Sequence, residues 1–357
     1  MLVWIAFIAL ILCLLAIDLG IFHRTARVVT VREALAWSVA WFVLAIAFGG
    51  FVYAAYEYKW LGLGLAADLA DRSHHFPNGV INDGQAALLK YLTGYIVEES
   101  LSVDNMFVIA MLFRTFGIPP LYQHRVLFWG ILGALVMRGA MIAIGARLVS
   151  EFTWILYLFG AFLIVTAVKM MFVETDVRDA KENIVVRWVR RLFPITDRLH
   201  GEHFVVRHPR LMLTPLAVAL IMVEATDLIF AVDSIPAIFA ITTDPFLVFA
   251  SNVFAILGLR SLYFVLAGAL ETFHYLKVSL ALVLGLVGSK MLAHVWLEDL
   301  LGEHFNLYLL AAIVAILGGG IIASAVRSRR ERASSLPRPR GRATRGAPPS
   351  SDRARER

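Results

Sequence analysis

Cysteine, charge and nucleotide-binding motifs are all scarce in this chain. Its single cysteine, Cys13, lies within an apolar run, which excludes a disulfide framework, a thiolate metal site and redox chemistry by the protein's own thiols. No Walker sequence occurs, so we do not expect ATP hydrolysis. Only 17% of the 357 residues are charged and 59% are hydrophobic, unlike a soluble domain. The composition predicts an all-α polytopic membrane protein.

The formal net charge of +6 comes from one end of the chain. Residues 327–357 hold eleven Arg and three acids, a net of +8 that leaves −2 for the remainder. This Arg-rich composition cannot bury a core, so we expect a disordered tail. Because the basic balance belongs to the tail, it gives no reason to expect a nucleic-acid partner.

Apolar runs long enough to cross a bilayer recur along the chain. At about 20 residues per span, they predict nine transmembrane helices with the lipid bilayer as their surroundings. The predicted spans lie near 2–22, 33–56, 86–113, 124–146, 152–172, 213–242, 246–269, 278–297 and 306–326.

Lys and Arg are concentrated in every second loop. They follow the first and third spans, number eight between residues 173 and 210, and dominate the tail. The loops between them are acidic, with Glu57, Asp68, Asp71, Asp83, Asp244, Glu298, Asp299 and Glu303. Because cytoplasmic loops collect Lys and Arg, we predict an inner (plasma) membrane protein with its N-terminus outside and its C-terminus in the cytoplasm.

Two of the apolar stretches contain acids. GYIVEESLSVDNMFVIA (94–110) and VEATDLIFAVDSIPAIFA (223–240) carry Glu98, Glu99, Asp104, Glu224, Asp227 and Asp233. A charge at the bilayer centre costs roughly 3 kcal/mol on insertion scales, so this many acids indicates an ion or proton pathway.

The spans that follow each acidic stretch match in order. Each acidic span precedes one with a mid-span arginine, Arg138 or Arg260, and then one with Lys169 or Lys290 near its end. The predicted orientation makes the two sets antiparallel, which is typical of an inverted repeat, here helices 3–5 and 6–8, with a site between the halves. The chain then divides into two N-terminal helices and an outward loop (1–85), a first repeat (86–172), a cytoplasmic basic loop (173–212), a second repeat (213–297), a last helix (298–326) and the tail (327–357).

The donor atoms in the two acidic stretches favour a hard divalent cation. Carboxylate, amide and hydroxyl oxygens suit Mg²⁺, Ca²⁺ or Mn²⁺, whereas Zn²⁺ or Cu²⁺ would favour His or Cys, which neither stretch contains. Pro236 predicts a helix break that frees carbonyl oxygens for the site. On a regular helix Glu98, Ser102 and Asn105 share one face, and Glu224 and Asp227 are neighbours one turn apart. Supporting residues are Glu99, Ser102, Asn105, Thr226 and Ser234, with Arg138 and Arg260 balancing the acids when the site is empty. The alternative is that these acids and arginines form only structural ion pairs.

The motif pair EESLSVDN and VEATDLIFAVDSIPA resembles that of the TerC integral membrane proteins, a family named for tellurite resistance, and the nine-helix count is similar to its Alx-like branch. The likeness covers roughly residues 85–320. It implies export of manganese across the cytoplasmic membrane, and by position it implies that the metal ligands are Glu98, Asp104, Glu224, Asp227 and Asp233.

We therefore expect a transporter rather than an enzyme, with Mn²⁺ as its substrate and no resident cofactor. The acids would permit proton antiport. An intramembrane aspartyl protease is disfavoured because the chain has no GxGD sequence. The alternative that stays open is a non-transporting protein that assists membrane-protein assembly or tellurite resistance. The sequence also leaves the metal's identity and the oligomeric state open, with a homo-oligomer as one option.

The predicted orientation can be tested with reporter fusions. A reporter that is active only outside the cytoplasm should work when fused after Asp83 or Glu303 and should fail after Arg190, because the Lys/Arg asymmetry assigns those loops to opposite sides. The opposite result at any of the three positions would contradict the antiparallel arrangement of the two acidic helices.

Overall fold

The computed structural model describes residues 2–22, 30–71, 79–172, 184–196, 198–207, 210–267, 275–301 and 305–335. Within these ranges the chain forms helices α1 (Leu2–Phe22), α2 (Val31–Glu57), α3 (Gly84–Thr115), α4 (Pro120–Glu151), α5 (Ile155–Phe172), α6 (Ile184–Leu192), α7 (Pro215–Phe239), α8 (Pro245–Ala267), α9 (Leu276–Leu301) and α10 (Phe305–Ser335). Two short antiparallel hairpins pair β1 (Ala67–Asp68) with β2 (Val80–Ile81) and β3 (Val205–Arg207) with β4 (Leu211–Leu213).

Six helices in the described ranges are long and apolar enough to cross a membrane. The segments that meet this standard are Val31–Glu57, Pro120–Glu151, Ile155–Phe172, Pro215–Phe239, Pro245–Leu266 and Asn306–Ser328. The chain is therefore a helical membrane protein, as its composition predicts. Each of the nine predicted spans overlaps a helix, but the count of nine crossings stays a prediction.

The helices begin where the sequence provides caps. Thr30 and Asp83 accept hydrogen bonds from the backbone of Glu33 and Ala86, which satisfies free N–H groups at the starts of α2 and α3. Thr214 does the same for α7, whose first residue, Pro215, needs no hydrogen-bond donor at that position.

Two expectations about helix ends are wrong. Helix α7 continues through Pro236 to Phe239, so this proline does not break the helix. Pro236 lies in the last turn of α7, three residues before its end. The backbone hydrogen bond that a proline cannot donate therefore affects only this final turn and does not interrupt the helix. Helix α10 extends to Ser335, so the predicted disordered tail does not begin at Arg327. The rest of that tail lies outside the described residues.

Helix pairs that are distant in sequence build the core. The main contacts join α3 with α8, α4 with α7, and α5 with α9, while α2 covers α3 and α8. The α5–α9 crossing depends on glycine, because a Cβ at Gly288 would lie 3.0 Å from the Gly160 carbonyl oxygen. Close backbone approach through small residues is a common way to pack helices in a membrane.

Lys90 of α3 anchors a buried ionic network at one end of the bundle. Its Nζ lies 2.8 Å from Asp68 Oδ2 and 2.5 Å from Asn82 Oδ1, and it also forms an ion pair with Asp71. Lys290 of α9 joins through Asp71, at 3.8 Å, and donates to the Ala240 carbonyl at 2.8 Å. We call this group, with Thr242 and Thr243, the Lys90 network.

Asp68 receives further hydrogen bonds from the turn between α7 and α8. The Thr243 backbone N–H donates to its Oδ1 at 2.7 Å, and the Thr242 hydroxyl donates to its Oδ2. Burial alone would raise the pKa of Asp68, but the Lys90 ammonium and these donors outweigh it and hold the pKa well below its usual range. The network therefore ties the α2–α3 loop to α3, α9 and the α7–α8 turn.

Asp68→Asn should lower the thermal unfolding midpoint at pH 7, because it leaves Lys90 with one fewer buried carboxylate, a change that costs about 3 kcal/mol or more. A depressed folded pKa means that the stabilisation is complete above the unfolded value of 3.8 and fades as the pH falls toward the folded value. The difference in unfolding midpoint between wild type and Asp68→Asn should therefore become smaller below about pH 4.

The matched control is Asp83→Asn, which keeps a good helix cap and should leave the midpoint nearly unchanged. The measurement is thermal unfolding of detergent-solubilised protein at pH 7, 4 and 3. If the difference in midpoint between wild type and Asp68→Asn is the same at all three pH values, Asp68 stabilises the protein through packing and not through its charge.

Candidate functional site

Arg138 of α4 is the centre of a second buried charge cluster. Its side chain is 1% exposed. Nη2 lies 2.8 Å from Asp227 Oδ1 and Nε lies 3.1 Å from Asp227 Oδ2, a two-pronged contact. Nη1 forms an ion pair with Glu98 and donates to Asn252 Oδ1 at 3.0 Å. The Arg138 cluster, consisting of these four residues, joins α3, α4, α7 and α8.

The acids of this cluster outnumber its arginine. Glu98 is fully buried, and its Oε2 has no hydrogen-bond partner among the described residues. With Glu98 and Asp227 both ionised, one guanidinium leaves one negative charge uncompensated. Such a surplus is costly in an apolar interior unless a proton or a cation balances it.

Glu224 lies one helical turn before Asp227 and is fitted closely against α4. A Cβ at Gly133 would overlap the Glu224 carboxyl group, so any other residue there would force this side chain to move. In the described part of the chain Glu224 Oε2 has no hydrogen-bond partner. Glu224 therefore adds a third acid on the side of α7 that faces α4.

Asp233 lies apart from these acids, on a cavity of about 550 Å³. Thr166 of α5 donates to Asp233 Oδ1 at 3.2 Å. Asn105 of α3 and Lys169 of α5 line the same cavity, and apolar residues form most of its wall. This cavity therefore offers an approach to Asp233 and Asn105 of the acidic stretches.

The other predicted site residues divide into several groups. Ser102 and Ser234 are buried, and their hydroxyl oxygens have no hydrogen-bond partner within the described ranges. Thr226 donates to the Met222 carbonyl of its own helix at 2.7 Å. Glu99 lies beside Gly258 of α8. The side chain of Asp104 lies outside the described residues, although its backbone belongs to α3.

Arg260 has an ion-pair partner that the sequence did not predict, and its role in balancing the acidic stretches stays a prediction. It forms an ion pair with Asp18 of α1, and both side chains are buried. The pairing partner lies on a helix outside the predicted repeat, which no motif near Arg260 indicates.

The five candidate ligands do not form one compact metal site among the described side chains. No group of three or more His, Cys, Asp or Glu able to hold a metal ion occurs there. Glu98 and Asp227 meet at Arg138, Glu224 lies beside them, and Asp233 faces the cavity. A divalent ion still suits the donor chemistry, since all of these groups are hard oxygen donors.

Sequence reasoning missed Asn252, Thr166 and Gly133. Asn252 is a buried amide in an apolar helix, and that rarity was a usable signal. Gly133 and Thr166 are ordinary residues for a membrane helix, and only three-dimensional contacts reveal their roles.

Comparisons with known proteins agree on one family. The family model described as "Integral membrane protein TerC family" matches residues 83–332 of this chain. "Uncharacterized membrane protein STKORF319" of Myxococcus xanthus is 44% identical over 338 residues, covering 94% of this chain and 96% of that protein. "Putative membrane-bound redox modulator Alx" of Escherichia coli strain K12 is 44% identical over 319 residues, covering 88% of this chain and 94% of that protein. No solved structure matches the chain.

Replacing Arg138 by Met should strongly destabilise the protein, because it leaves Glu98 and Asp227 buried without their cation, at a cost of about 3–5 kcal/mol. We expect a lower thermal midpoint in detergent. Adding Glu98→Gln and Asp227→Asn to the same variant should recover much of the loss.

Arg147→Met is the control, since this arginine is on the same helix with a side chain that is 79% exposed. If Arg138→Met unfolds at the same temperature as Arg147→Met, the cluster does not contribute to stability as argued.

Proposed function

Because this chain belongs to the integral membrane protein TerC family, we propose that it exports a divalent metal cation, with Mn²⁺ as the first candidate substrate. The carboxylates of α3 and α7 bind the ion on its way across the membrane. The protein acts as a transporter in this proposal, not as an enzyme, and the membrane is the cell's inner membrane with the N-terminus outside.

The observation that carries the proposal is the surplus of acid around Arg138. Glu98, Asp227 and Glu224 are opposed there by one guanidinium. A purely structural cluster would be more stable with charges balanced or replaced by apolar groups, so the extra carboxylates need a function. Binding of a dication supplies the missing positive charge.

An inverted repeat is supported by the contacts of the two acidic helices. Glu98 and Asp104 are six residues apart on α3, and Asp227 and Asp233 are six residues apart on α7. The first acid of each pair contacts the same arginine. In a two-fold relation between α3–α5 and α7–α9, α3 corresponds to α7 and α4 corresponds to α8. The contact of α3 with α8 then corresponds to the contact of α7 with α4, and both contacts occur.

The cavity beside Asp233 and the Lys90 network lie at different levels along the same helices. On α3 the network uses Lys90 and the cavity uses Leu101 and Asn105, while on α9 the network uses Lys290 and the cavity uses Lys277. This arrangement supports a conformation that is open toward the cavity end and closed at the network end, as alternating access requires.

Proton antiport follows as the proposed coupling. Several carboxylates close together in an apolar site favour a proton on at least one of them until a cation arrives. Metal binding would then release protons, and an inward proton gradient would drive the cation outward. Nine crossings and a cytoplasmic C-terminus belong to the same proposal.

The test is Mn²⁺ uptake by purified protein in liposomes that contain a Mn²⁺-quenched dye. We expect Mn²⁺ uptake with the wild-type protein and uptake that is slower by about tenfold or more with Asp104→Asn or Asp233→Asn. Removing a metal ligand should weaken metal binding at least as much as removing a residue that supports a ligand, which is the basis of this magnitude. A second dye that reports the pH inside the liposome should show opposite proton movement.

Glu151→Gln is the control, since this acid is exposed at the end of α4. Absence of uptake by folded wild-type protein would overturn the proposal in favour of a non-transporting role in membrane-protein assembly or tellurite resistance. Uptake without proton movement would retain export and replace antiport by uniport.

A further inference from the structure

Helix α6 has a sequence that separates apolar and basic side chains. It reads IVVRWVRRL, with Trp188 and Leu192 four residues apart on one face and Arg187 and Arg191 four residues apart on the next. A short helix with an aromatic and leucine face beside an arginine face is typical of helices that lie in the surface of a bilayer.

The apolar face of α6 is exposed in the described structure. Trp188 is 61% exposed and Leu192 is 67% exposed, and Phe193, directly after the helix, is 50% exposed. On another side of the helix Val186 is only 1% exposed, where α6 contacts α7. The helix is therefore attached through one face and presents large apolar side chains on another.

Contacts with the start of α7 hold α6 at the end of the bundle. The chain that follows α6 pairs with β4, since Leu213 N–H donates to the Pro194 carbonyl at 2.9 Å and Thr196 N–H donates to the Leu213 carbonyl at 2.9 Å. The next residue, Thr214, caps α7. Because α7 is long and apolar enough to span a membrane, its start marks the level of the bilayer surface.

The surroundings of α6 continue the same mixture of arginine and apolar residues. Residues 184–214 contain six arginines and two acids. Arg207, Arg210, Val205 and Leu211 of the β3–β4 hairpin are all exposed. A basic surface with exposed apolar side chains at the edge of a membrane is complementary to anionic lipid, which offers phosphates to arginine and hydrocarbon to tryptophan and leucine.

We propose that α6 docks in the bilayer interface, with Trp188 and Leu192 between lipid headgroups and acyl chains and with Arg187 and Arg191 on anionic lipid phosphates. The helix anchors the 184–214 segment to the membrane beside α7. This docking is independent of transport, so neither result of the liposome assay decides it.

The experiment uses the full chain in lipid nanodiscs, one set made of neutral phosphatidylcholine and one containing phosphatidylglycerol. Cys13 is the only cysteine, so Cys13→Ser with Leu192→Cys gives a single site for an environment-sensitive dye. Aqueous iodide reports contact of the dye with water, and lipids with a nitroxide near the headgroup report contact with the interface.

We expect the dye to be quenched by the nitroxide lipid and protected from iodide in anionic discs. Arg187→Gln or Arg191→Gln should each lower the ratio of lipid-docked to water-exposed helix about fivefold, because each removes the attraction of one arginine to the anionic surface. Arg147→Gln, which changes an exposed arginine at the far end of α4, should not alter the ratio.

Two outcomes would overturn the proposal. Free access of iodide in both kinds of disc would show that α6 faces water. Protection from iodide without nitroxide quenching would show that protein covers the helix, either another part of this chain or a second copy.

Discussion

Buried charge in an apolar surrounding is the constraint on which the rest of this structure depends. The buried basic side chains in the described chain are Lys90, Arg138, Arg260 and Lys290, and each one contacts an acid from a different segment. An unpaired charge in this position would cost several kcal/mol, far more than most apolar contacts contribute. These pairs therefore select which helices become neighbours, since apolar faces in a bilayer have little preference among one another.

Two of these clusters differ in their charge balance, and the difference separates structure from function. In the Lys90 network the described ion pairs set two ammonium groups against Asp68 and Asp71, two positive charges against two negative ones. Around Arg138 a single cation meets Glu98 and Asp227, with Glu224 close by. A balanced cluster holds segments together without a ligand. An unbalanced one has a reason to take up a cation or a proton, which is why the proposed transport site is at Arg138 and not at Lys90.

The sequence alone was sufficient for the helical membrane class, the positions of the long helices and the two acidic stretches, because charged residues in apolar runs are rare and conspicuous. It was not sufficient for the partners of those residues. Arg260 pairs with Asp18 of α1, and Asn252 completes the Arg138 cluster from a helix with no acid of its own. Partner choice depends on how each helix is rotated, and a helix that is apolar on every side carries no periodic signal of its rotation. Pro236 shows the same limit, because the effect of a proline depends on how many turns follow it.

The positions of the two clusters along shared helices connect stability with transport. Helices α3, α7 and α9 each contribute residues to the wall of the cavity. Helices α3 and α9 also contribute lysines to the Lys90 network, and the turn that follows α7 contributes its threonines. A rigid helix cannot move at one end without moving at the other, so widening the network end must shift the acids that line the route from the cavity. The ion pairs of Lys90 set the free-energy cost of that movement. A cation bound among the carboxylates changes the same balance, because it removes the repulsion between acids on α3 and α7 and so alters how closely the two helices pack.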